Sequence, residues 1–126
     1  MAAHIDSRLN AMQMELLDAW LRSILWEGVV PLSSGKQCEA PTIHRLKGRV
    51  VRDDGSVMLI QGVREVFEIF NASERGVEVA RDNLSGKIVL IGRKLDGATI
   101  DESLRWFVLQ GGGDNGDEAI NRTPKN

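Results

Sequence analysis

Residues 9–27 constrain this chain most, because their apolar side chains recur at helical spacing. Leu9, Met12, Leu16, Leu17, Trp20, Leu21, Ile24 and Leu25 fall at intervals of three and four, which makes one wide apolar stripe. Gln13, Glu15, Asp18 and Arg22 lie mostly outside it. Gly28 follows, where a left-handed cap would end the helix. A helix with so broad a stripe is stable only when the stripe is buried, so the rest of the chain must supply a second apolar layer.

That layer reads as sheet. Residues 29–41 predict a loop, punctuated by Pro31, Ser33, Ser34, Gly35 and Pro41. Strand patterning begins near Thr42 and runs to about Arg52. Asp54-Gly55 then signals a tight hairpin, since both residue types tolerate positive φ. The returning strand is expected from Ser56 to about Phe70, with a bulge or bend at Gly62, where the alternation slips. Residues 71–86 are polar and expected to be irregular. Ile88-Val89-Leu90-Ile91 is apolar on both faces and predicts a central strand covered on both sides, or one deep in the sheet. Thr99 and Glu102 form a capping-box pattern that opens a second helix, with Ile100, Leu104, Phe107 and Val108 as its stripe. Gly111-Gly112-Gly113 closes it.

The expected fold is therefore α+β: a small antiparallel sheet of three to four strands with helices packed on one face. The domain should occupy residues 9–110, with a flexible N-terminus at 1–8 and a disordered tail at 111–126. At 126 residues there is room for one modest core.

Composition removes several function classes. The net charge is −2, whereas a dedicated nucleic-acid binder would carry a strongly basic footprint. The one cysteine, Cys38, cannot build an internal disulfide framework and fits a reducing compartment. No apolar stretch approaches the roughly 20 residues that span a bilayer, and the N-terminus lacks the basic and apolar regions of a signal peptide. The expected location is cytoplasmic, with the nucleus possible, and no membrane partner is expected.

Motifs with chemical content are sparse. Ser33-Ser34-Gly35-Lys36 is not a phosphate loop: Val30 stands where the first glycine belongs, and Gln37 follows the lysine. Cys38 and His44 are the candidate metal ligands, but their spacing has no second pair to close a tetrahedral site. No nucleophile is tied to a base by any pattern, so no catalytic residue is assigned. Asn71-Ala72-Ser73 matches a glycosylation acceptor that has no secretory context. The most suggestive surface feature is basic: Arg45, Lys47 and Arg49 alternate along a strand and should share one face, with Leu46, Gly48 and Val50 on the other. Such a row would dock an acidic partner or a phosphate. The alternative is an ordinary solvated face, paired with Glu65 or Glu68 across the hairpin.

Three segments together resemble a known family. They are Trp20-Leu21-Arg22-Ser23-Ile24-Leu25-Trp26-Glu27; Arg45-Leu46-Lys47-Gly48 with Gln61-Gly62-Val63-Arg64; and Val89-Leu90-Ile91-Gly92-Arg93-Lys94-Leu95-Asp96 with Ile100 and Leu104 beyond. The set is similar to the C-terminal domain of the CobW family of zinc-regulated GTPases and metallochaperones, closest to its eukaryotic branch. The resemblance implies a GTP-dependent protein that carries zinc or another divalent metal to a client metalloenzyme. In that family, the nucleotide and metal chemistry belong to an N-terminal GTPase domain. The matching module implies an accessory role, contacting the GTPase domain or a client metalloprotein. No enzyme activity and no cofactor of its own is expected for this chain; zinc and GTP are implied only for the full-length family. Arg45, Lys47, Arg49 and Arg64 are the candidate interaction residues. The chain would be a fragment, a split gene product or a stand-alone paralogue. Family members carry a strand before the first long helix, and residues 4–14 here read as helix or irregular instead. Two competing readings remain: an independent weak metal carrier at Cys38 and His44, and a phosphate or nucleic-acid binder at the basic row.

Overall fold

The computed structural model describes residues 1–79 and 85–113. Its elements run β1 (Ala2–Ile5), α1 (Ala11–Arg22), β2 (Val29–Pro31), β3 (Gln37–Glu39), β4 (Thr42–Val51), β5 (Val57–Val63), β6 (Val66–Asn71), β7 (Gly86–Arg93) and α2 (Gly97–Leu104). Among the described residues the main sheet has five strands in the order β1-β7-β4-β5-β6, each pair antiparallel. β2 and β3 form a separate two-stranded sheet. The fold is α+β, with the helices on one face of the sheet.

The first helix starts where Asn10 accepts a hydrogen bond from the Gln13 amide at 2.8 Å and Gln13 Oε1 accepts one from the Asn10 amide at 2.9 Å. Two of the orphan donors of the first turn are thereby satisfied reciprocally. α1 passes at Ser23 into a wider π-helical turn, Ser23–Glu27, which ends at Gly28 with φ 74°. The left-handed cap is thus at the glycine the sequence marks. Leu16, Leu17, Trp20, Leu21 and Ile24 are buried from the stripe, and Leu9 is buried just ahead of the helix. They share one cluster with Ile43, Leu46, Val50, Ile60, Ile88 and Leu90 from the sheet and Ile100, Leu104 and Val108 from the second helical segment. A buried polar relay locks the layers: Trp20 Nε1 donates to Ser103 Oγ at 2.9 Å, and that hydroxyl donates to the Pro31 carbonyl oxygen.

Several expectations are corrected. Residues 1–8 are not a flexible leader: Ala2–Ile5 pairs with β7, and Ala3 and Ile5 are buried. Alternation over four residues ahead of a much longer helical pattern is a weak signal, and the partner strand lies more than eighty residues away. The expected departure from the family at this position therefore disappears. The long returning strand is two strands, because Arg64 and Glu65 form a two-residue turn with Arg64 at φ 55°. These two additions raise the expected three to four strands to five. Gly62 stays in register; the irregularity falls in β4 between Ile43 and Arg45. In the first hairpin, Asp53, Asp54 and Gly55 bridge the paired Arg52 and Ser56, and of the two signal residues only Gly55 takes positive φ.

Residues 29–41 are not a plain loop but β2, a 3-10 turn at Ser33–Gly35 and β3. The second helix is capped by Asp96, whose carboxylate accepts from the Thr99 amide and hydroxyl, rather than by Thr99. It too continues into a π-helical turn, Arg105–Leu109. Gly112 and Gly113, expected in a disordered tail, are buried, and an added Cβ on either would meet Trp106 or Phe107. Residues 114–126 of that expected tail lie outside the described residues. Of the two readings for residues 88–91 the second holds: β7 lies inside the sheet between β1 and β4. Among the described residues it is covered on one face, with Ile88 and Leu90 buried and Ile91 on the opposite face 56% exposed.

Candidate functional site

Strand alternation sorts the sheet into two faces. Leu46, Gly48, Val50, Ile60, Ile88 and Leu90 point into the helix layer. Gly48 makes room there: an added Cβ would lie 3.1 Å from Ile88 and 3.3 Å from Ile60. Among the described residues the other face carries no helix, and pairing aligns its side chains in cross-strand rows. Ile91, Arg45, Val63 and Val66 form the first row, across β7, β4, β5 and β6. Ala2, Val89, Lys47, Gln61 and Glu68 form the second. His4, Lys87, Arg49, Leu59 and Phe70 form the third. The expected alternation of Arg45, Lys47 and Arg49 on one uncovered face is present.

The electrostatics of this face are one-sided. Glu68 is its one carboxylate in these rows, and Arg75 holds it at 2.8 Å while Gln61 Nε2 donates to it at 2.8 Å. The Arg75 guanidinium, with help from Gln61, holds the Glu68 carboxyl below its ordinary range. Arg75 also lies 4.1 Å above the Phe70 ring. The pairing of the basic row with Glu65 or Glu68 is therefore not made. Among the described residues no carboxylate reaches ion-pair distance of Arg45, Lys47 or Lys87. Arg49 Nε instead donates to the Ser85 carbonyl at 3.1 Å.

At one end the face turns apolar. Val63 is 54% exposed and Val66 72%, on either side of the Arg64-Glu65 turn. Trp26 reaches this turn from the helix layer, donating Nε1 to the Glu65 carbonyl at 2.6 Å and packing on Phe67 with ring centroids 5.6 Å apart. A shallow groove of ≈ 760 Å³ runs over this end, lined by Arg45, Lys47, Val63, Val66, Val89 and Ile91 among others. Arg64 sits at the tip of the turn and Arg45 at the centre of the apolar row, so these two interaction candidates lie at the same end of the sheet. Sequence reasoning missed the apolar residues because Val63, Val66 and Ile91 look like ordinary strand residues. Only the pairing register shows them to be neighbours.

The metal candidates are not brought into a site. Cys38 is exposed on β3 and His44 sits at the irregularity of β4. Among the described residues no three His, Cys, Asp or Glu side chains gather to hold a metal ion. Ser33–Gly35 is a 3-10 turn between two short strands, not the strand-to-helix junction of a phosphate loop. No helix of the described residues is long and apolar enough to cross a membrane.

Comparison with known proteins accounts for the architecture. The zinc-regulated GTPase metalloprotein activator 1 of Schizosaccharomyces pombe is 42% identical over 76 residues, which is 60% of this chain and 18% of that protein. The chain thus spans under a fifth of the length of this curated relative. The crystal structure of the Zn(II)-bound YjiA GTPase from E. coli superposes with a TM-score of 0.57 at 14% identity, covering 85% of this chain and 28% of that one. A triple mutant of the same GTPase, also Zn(II)-bound, gives 0.56 at the same identity and coverage. At that identity the likeness is one of fold. Residues 8–108 match the family described as the cobalamin synthesis protein cobW C-terminal domain, and with most of its length so matched this chain belongs to that family.

Proposed function

We propose that this domain is a non-catalytic contact module that binds a GTPase domain or a client metalloprotein through the uncovered face of its sheet. The observation that carries the reading is the alternation of Arg45, Lys47 and Arg49 along β4, on a face that no helix of the described residues covers and whose one carboxylate in the cross-strand rows is already engaged. The net charge of −2 makes this concentration of cations a local feature rather than a general property of the surface. Cations that make no ion pair on an exposed face steer an acidic partner and set its orientation more than they set its affinity. Arg64 adds a further cation at the hairpin tip. The curated relative's name supplies the partner class: a zinc-regulated GTPase that activates metalloproteins.

Calorimetric titration with the GTPase region of the fission-yeast relative tests this. Binding is expected, weakening with added salt as exposed charge pairs do. The triple change Arg45→Ser, Lys47→Ser, Arg49→Ser should slow association by roughly tenfold or more at low salt. GTP itself should show no heat. Micromolar GTP binding to this domain, or GTPase-region binding indifferent to the triple change, would overturn the reading.

A further inference from the structure

Four of the six large apolar side chains that stand exposed among the described residues gather at one end of the sheet: Val63, Val66, Ile91 and Trp26. Three of them share a single cross-strand row, and the residue completing that row is Arg45. Scattered surface aliphatics are ordinary, but exposed aliphatics gathered around a cation in one row, over a groove, mark an interaction site. We propose that this end of the face, Ile91, Arg45, Val63 and Val66 with Trp26 at its margin, docks an acidic-apolar polypeptide segment. Aliphatic side chains of the partner seat on the two valines and the isoleucine, and a partner carboxylate bonds Arg45. The inference rests on the contact-module reading and adds to it the place of contact and the chemistry of the occupant.

Charge complementarity selects this occupant. Arg45 and Lys47 line the groove without a carboxylate partner among the described residues, while Glu68 at its edge is held by Arg75 and Gln61. An entering carboxylate would gain a charge-assisted, bidentate bond to Arg45, and the flanking aliphatics would lower the local dielectric around it. A second copy of this chain fits poorly, since apposed faces would set Arg45 and Lys47 against their own kind. Single-stranded nucleic acid is favoured by stacking platforms on a sheet face. Here the one aromatic in the rows, Phe70, is covered by Arg75, and the residues beside Arg45 are aliphatic. A lipid surface favours protruding apolar side chains, whereas these border a groove.

The test is a titration of the isotopically labelled chain, followed by amide chemical shifts. The probe is a synthetic helical peptide of roughly fifteen residues with leucines and glutamates on one face. Its counterpart replaces every glutamate by lysine. The acidic peptide should shift residues of the Ile91–Val66 row and the Arg64-Glu65 turn, and the lysine peptide should not. Arg45→Glu and Val66→Asp should each weaken binding by about tenfold or more. Both positions are exposed, and an unchanged far-ultraviolet spectrum checks that the fold survives; Val66→Ser replaces either variant that fails this. Absence of shifts at millimolar peptide, shifts on another surface, or affinity unchanged in the variants overturns the proposal. So does tighter binding at this row by polyuridylate or phosphatidylserine vesicles, or concentration-dependent self-association through it. Because the probe is neither a GTPase region nor a client, its failure leaves the calorimetric test of the contact module independent.

Discussion

Ser103 is the buried polar side chain on which three elements converge. Its hydroxyl accepts from Trp20 on α1 and donates to Pro31 on β2, while its own backbone belongs to α2. Ser103→Ala should leave the Trp20 indole N–H and a carbonyl unsatisfied in the core, costing about 1–3 kcal/mol. Urea denaturation followed by tryptophan fluorescence reads this as a lower midpoint with an unchanged slope. Gly92 is a second point of tight geometry, because an added Cβ would collide with the Thr42 carbonyl oxygen beside the irregularity in β4. Gly92→Ala should cost roughly 1–3 kcal/mol by overpacking, while Gly28→Asn, at an open left-handed cap, should cost much less. Equal losses at the two glycines would contradict the geometry. Arg64 shows what a residue type can hide: its positive φ makes a hairpin turn without the Asn-Gly or Asp-Gly signal, so the split between β5 and β6 was illegible in the sequence.

At the scale of elements, both helices are capped by side chains that the sequence displays. The reciprocal bonds between Asn10 and Gln13 predict that Asn10→Ala costs about 1 kcal/mol, measurable in the same denaturation experiment. The second helix carries a pH dependence. Hydrogen bonds from the Thr99 hydroxyl and backbone hold the Asp96 carboxyl below its ordinary 3.8. A carboxyl whose folded-state value is depressed stabilises the fold above its unfolded value and loses that contribution as pH falls through the folded one. Stability should therefore decline as acid is added below about pH 4, and Asp96→Asn should flatten that slope while leaving a cap in place. An unchanged acid limb in Asp96→Asn would contradict the assignment. The long, strongly periodic segments were legible as elements. β1, β2 and β3 were not, because three or four residues carry too little alternation to stand out, and β1 is stabilised by a partner far along the chain.

For the whole molecule, the N-terminal strand is the decisive addition. Ile5 is buried and Met1 exchanges backbone hydrogen bonds of 2.9 Å with Leu90. Ile5→Ala should thus cost roughly 2–5 kcal/mol, whereas a flexible leader would register no loss. Thermal unfolding separates the two outcomes. Pairing by β1 also protects the edge of β7, which would otherwise offer unpaired backbone groups to other chains.

The segments 20–27, 45–48 with 61–64, and 89–96 carried the family resemblance, while the stripe of residues 9–27, the hairpin at Asp54-Gly55 and the basic alternation from Arg45 to Arg49 determined the α+β class and one half of the candidate site. Those signals are local: side-chain direction follows from helix or strand period alone. Only the tertiary structure decided that Ile91, Val63 and Val66 flank Arg45, that Glu68 is taken by Arg75, and that among the described residues Cys38 and His44 join no ligand cluster. Such neighbours meet across strands whose register is set by burial of the opposite face, a property of the assembled sheet that no single segment contains.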